Sequence, residues 1–82
     1  MGYRRKTING KEFTRIAIFM KPASKVKLAE EKADKLIRDV KEDWKNSRYS
    51  KGRKIMLHKE FIDERYDQGY EVWEWIEPPK RK

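Results

Sequence analysis

The segment SKVKLAEEKADKLIRDVKEDW, residues 24–44, decides the fold. Val26, Ala29, Ala33, Leu36, Ile37, Val40 and Trp44 follow one another at steps of three and four, so an α-helix stacks them into one apolar stripe, whereas a strand scatters them over both faces. The rest of the helix surface is charged. Glu31 with Lys35 and Asp34 with Arg38 are acid-before-base pairs at four-residue spacing, each adding about 0.3 kcal/mol to an exposed helix. Ser24 is the expected N-cap, although Lys27 stands where a capping box would place Glu or Gln. Such a stripe needs a partner surface, and the flanking segments are where it must come from.

Ahead of the helix, Tyr3 to Ile8 and Lys11 to Met20 read as two strands around Asn9-Gly10, the dipeptide best suited to the two positive-φ positions of a type I′ turn. Ile16 to Met20 is apolar on both faces, which suits a central strand, and Pro22 closes it because proline cannot donate to a ladder. After Trp44 the pattern dissolves into a polar loop, residues 45–54. Ile55 to Ile62 fits a strand or a short helix by periodicity, and the strand is preferred because Tyr70 to Ile76, rich in Val, Trp and Tyr, needs a neighbour; Asp67-Gln68-Gly69 is the expected turn between them. Pro78-Pro79 ends the last strand. The expected architecture is α+β, two β-hairpins flanking one long helix (β-β-α-β-β), with the helix on one face of a small antiparallel sheet.

Eighty-two residues support one domain with one modest core, so residues 1–82 are read as a single domain with basic ends at 1–6 and 78–82. Charged residues are 44% of the chain and apolar ones 37%, so the few large rings must fill much of that core. With no cysteine, disulfides and thiolate metal sites are excluded. The scarcity of Gln, Asn and Ser beside abundant Lys, Glu and Arg resembles thermophile usage. The longest apolar run, Ile16 to Met20, is far too short for a bilayer span or a signal-peptide core, and Lys6 stands where a myristoylation motif requires Ser or Thr. A cytoplasmic protein without a membrane partner is expected.

The formal charge of +8 is unevenly placed: residues 1–6 carry +3, 45–54 carry +5 and 80–82 carry +3, whereas 55–79 carry −5. If the basic clusters converge, Arg4, Arg5, Lys6, Arg48, Lys51, Arg53, Lys54, Lys80, Arg81 and Lys82 form a surface for phosphate backbones, with Tyr49 available to stack on a base. The expected function is therefore non-enzymatic binding of DNA or RNA. No helix-turn-helix, zinc-finger or RRM motif is present to read sequence. A second reading places a protein partner on the acidic last strand: Glu71, Trp73, Trp75 and Glu77 share one face and Glu74 lies on the other. Turned to solvent, those tryptophans are a docking patch; turned inward, they are core.

Other chemistry has little support. His58 is the only histidine; it shares a strand face with Glu60, but no further catalytic group is tied to it by spacing, and no metal site or cofactor is expected. Asp63, Glu64 and Asp67 lack EF-hand spacing, and the four glycines stand apart, so no phosphate-cradling loop is formed. The helix stripe repeats over about three heptads, which leaves monomer and homodimer both open. Finally, Arg5-Lys6 with Lys11-Glu12-Phe13 recurs 48 residues later as Arg53-Lys54 with Lys59-Glu60-Phe61, a weak echo of internal repetition.

Overall fold

The computed structural model describes residues 4–48 and 52–78. Four strands, β1 (Arg5–Ile8), β2 (Lys11–Pro22), β3 (Ile55–Asp63) and β4 (Asp67–Ile76), and one helix, α1 (Val26–Asn46), follow in the order β1-β2-α1-β3-β4. All neighbouring strands are antiparallel, in the spatial order β1-β2-β4-β3. Asn9 and Gly10 have φ of 50° and 80°, as the tight turn between β1 and β2 requires. The architecture is the expected α+β arrangement, with α1 over the two central strands, β2 and β4.

Several boundaries differ from expectation; α1 runs two residues past Trp44, so Lys45 and Asn46 are helix rather than loop. Ser24 does not cap the helix: residues Ala23–Lys25 form a 3-10 turn, and neither Pro22 nor Lys25, the two capping positions, makes a side-chain cap bond. The tight geometry of the 3-10 turn supplies a backbone bond from Val26 N–H to Ala23 C=O instead. Pro22 is the last residue of β2 rather than its stop, which its place at a strand end allows. Asp67-Gln68-Gly69 is not the turn but the start of β4, opposite Pro22, Lys21 and Met20. The reversal lies at 64–66, closed by Glu64 N–H donating to Asp67 C=O at 2.9 Å.

Ala29 and Ala33, at the centre of the stripe, are fully buried, as is Val72 on the sheet face that carries the helix. Two alanines let the helix approach the sheet closely, while Leu36, Ile37 and Val40 are half-buried around them. One helix on its own sheet therefore accounts for the stripe. The basic echo is not structural repetition, since its first copy spans the β1–β2 turn and its second leads into and along β3.

β2 serves two neighbours in turn. Its first part, Lys11 to Thr14, pairs with β1; Thr14 to Pro22 pairs with β4, and a bulge between Arg15 and Ala17 lies just beyond the exchange. Bulges increase local twist, and the first hairpin is thereby coiled across the sheet face opposite the helix.

Candidate nucleic-acid interface

Each end of the sheet gathers different residues. At one pole are the end of α1, the loop after it, the start of β3 and the end of β4, because Ile55 pairs with Ile76. At the other are the start of α1 and the 64–66 turn, with Asp63, Glu64 and Asp67. Lys45 lies in the last turn of the helix, where a cation meets the negative end of the helix dipole. Arg48 and Lys54 are exposed nearby.

A short series of bonds fixes this first pole. The Trp44 indole N–H donates to Arg53 C=O at 3.0 Å, tying the loop to the helix. The Glu77 backbone N–H donates to Lys54 C=O at 2.9 Å, and the Lys54 N–H donates to a Glu77 carboxylate oxygen at 3.3 Å. Arg53 reaches the Glu77 carbonyl at 3.4 Å and lies over the Trp44 ring, 5.4 Å from its centroid. Thus the basic loop and the chain leaving β4 toward Lys80 are hydrogen-bonded neighbours. Tyr49, Lys51, Lys80, Arg81 and Lys82 lie outside the described residues.

The amino-terminal cluster is placed differently. Arg5 is opposite Thr14, which is opposite Glu74, which is opposite Leu57, so it stands two residues in from the basic pole, about 7 Å along the strand. Arg4 is exposed, and Arg5 forms an exposed ion pair with Glu12 at 3.4 Å. Lys6 turns onto the sheet face away from the helix, where it bonds Glu60 and lies 4.6 Å from the Trp73 ring centroid.

That face answers the question of the tryptophans in a way neither expectation contained. Val72 points to the helix, so Trp73 and Trp75 point away from it. Yet Trp73 is only 4% exposed and Phe13, on the same face, only 3%. They form a second small core under the coiled first hairpin, with no separate helix or sheet laid over it. Long polar side chains cover it: Lys6 over Trp73, Lys11 over Trp75 at 5.2 Å, and Arg15 paired with Glu71 at 2.7 Å. Glu71 is buried and also accepts from the Trp73 indole N–H at 3.2 Å. His58 packs edge-on to Phe13, with Nε2 3.5 Å from Glu60. No spacing rule in the sequence signals this lid, because its members come from four strands and meet only through the coiling of the first hairpin.

Glu74 lies on the helix face with Val40, Asp43, Trp44, Ser47 and Ile55, around a shallow cleft of about 250 Å³. Burial there pushes its carboxyl above the ordinary glutamate range. Glu71, Trp73, Glu74, Trp75 and Glu77 are therefore divided among two faces and a strand end. Among the described residues no three His, Asp or Glu side chains gather as metal ligands, and no helix is long and apolar enough to cross a membrane.

Comparison with protein-family models, curated proteins and solved structures gives no match.

Proposed function

We propose that the protein binds the phosphate backbone of DNA or RNA without catalysing a reaction, using the basic pole built by the loop after the helix and the carboxyl-terminal segment. The observation that carries this reading is the clasp of Arg53 and Lys54 on Glu77. It brings a segment of charge +5 beside the root of a segment of charge +3, and clustered cations at one pole attract polyanions far more strongly than the same charges scattered. Arg4 and Arg5 extend the surface along the first hairpin.

Fluorescence anisotropy with labelled single-stranded and double-stranded oligonucleotides, at two or more salt concentrations, tests it. With about six phosphates contacted, log K falls with log salt at a slope near −5. Removing Lys80 to Lys82 and neutralising Arg48, Lys51, Arg53 and Lys54 should each flatten that slope and weaken binding. Affinity that ignores both salt and these changes overturns the reading.

A further inference from the structure

β3 ends the sheet, so one side of it carries backbone groups that β4 does not use. The bonds at its two ends, Glu77 N–H to Lys54 C=O and Glu64 N–H to Asp67 C=O, fix the alternation of the antiparallel ladder. Even-numbered residues bond to β4, and the N–H and C=O groups of Ile55, Leu57, Lys59, Phe61 and Asp63 face outward. Natural edge strands are usually kept from pairing by proline, by short length or by an outstretched lysine. β3 has nine residues and no proline, and its central lysine is turned away: Lys59 Nζ is held by Asp34 at 2.8 Å and Glu30 at 3.2 Å on its own helix. Phe61, 49% exposed, and Met56, 43% exposed, stand on this strand, one on each face.

We propose that two copies of the chain pair antiparallel through β3, about a two-fold axis at Lys59, to make a continuous eight-stranded sheet. In this register every outward N–H and C=O from Ile55 to Asp63 meets its counterpart, since odd residues pair with odd ones. Leu57 stands opposite Phe61 of the second copy on the helix face, and Met56 opposite its Ile62 on the other. His58 stands opposite its Glu60, and one step beyond the strand Lys54 meets its Glu64. The two Lys54–Glu64 pairs thus close the ends of the seam. Two pairs are mismatched: Ile55 stands opposite Asp63, and Lys59 stands opposite its own copy on the axis, its charge drawn back toward Asp34 and Glu30. Moving the axis to His58 or Glu60 likewise sets a residue against its own copy, and in addition turns Met56 or Phe61 against a charged residue. Each helix packs mainly on β2 and β4 and meets β3 less extensively, with Lys59 bonded to its Glu30 and Asp34. The helix stripe takes no part.

The dimer is tested without nucleic acid, so its failure and that of the phosphate-binding reading are separable. Sedimentation velocity over roughly 1 μM to 1 mM, where modest interfaces dissociate, should show a reversible monomer–dimer equilibrium. Backbone amides of Leu57, Lys59 and Phe61 should gain hydrogen-exchange protection as concentration rises. Lys54→Glu and Glu64→Lys, both at exposed positions and each checked for an unchanged circular-dichroism spectrum, should each weaken association on the order of tenfold; the double exchange K54E/E64K should restore it. Phe61→Pro, which removes an outward N–H, should abolish it. A monomer throughout the range, or a dimer indifferent to the charge exchange and without protection at those three amides, overturns the proposal.

Discussion

The Arg15 guanidinium meets the Glu71 carboxylate at 2.7 Å, and the same carboxylate accepts the Trp73 indole N–H from below. One acid thus joins the cover of the second core to its contents. Removing Arg15 strands a buried charge, whereas removing both partners does not. Arg15→Ala should cost roughly 2 to 3 kcal/mol in urea unfolding, and Arg15→Met with Glu71→Met should recover most of it. Equal losses in the single and double variants would show that the pair is not coupled.

Gly69 is where two strands come closest to excluding a side chain. A Cβ there would stand 1.8 Å from the Phe19 carbonyl oxygen and 2.8 Å from the Met20 sulfur. The obstacle is backbone in a central strand, so little can give way. Gly69→Ala should cost at least about 3 kcal/mol, a drop in Tm of 10 °C or more for a domain of this size. A change below a few degrees would place the β2–β4 contact elsewhere.

Glu74 gives the stability an acid-side dependence of known sign. Its pKa is raised by burial in the folded chain, so the native state binds the proton more tightly than the unfolded state does. Its contribution is therefore full below the unfolded value, about 4.3, and is lost as pH rises through the folded one. Glu74→Gln should raise Tm by about 2 to 5 °C at pH 7 and change it little at pH 4, as followed by circular dichroism. Equal effects at both pH values would remove burial as the cause.

Glu60 acts in the opposite sense. The hydrogen bond from Lys6 holds its carboxyl below the ordinary glutamate range, so its stabilisation is present above the unfolded value and lost as pH falls through the folded one. The pair is partly exposed to solvent, and screening keeps the contribution to about 0.5 kcal/mol or less. Lys6→Met should therefore flatten the loss of stability between about pH 5 and 3, but only slightly, and 1 M salt should erase the difference.

How much of this was legible from the chain differs by element. Residues 24–44 announce a helix because spacing at three and four is a local property, and Asn9-Gly10 announces its turn because few other dipeptides tolerate two positive φ values. Alternation along Tyr70 to Ile76 likewise places Val72 and Trp73 on opposite faces. The Ser24 cap and the 67–69 turn were misplaced because helix starts and turn positions depend on one or two residues, which backbone bonding can override.

The sequence by itself determined the helix, the hairpin turn, the alternation of the strands and the separation of positive from negative segments, since each depends on residues adjacent in the chain. Only the tertiary structure decided that Trp73 is buried on the face away from the helix, that Lys6 covers it, and that the loop after the helix is clasped to the end of β4 by Glu77. Those relations join residues 23 to 67 positions apart. Neither composition nor periodicity encodes them, because they follow from strand order and from the twist that carries the first hairpin across the sheet.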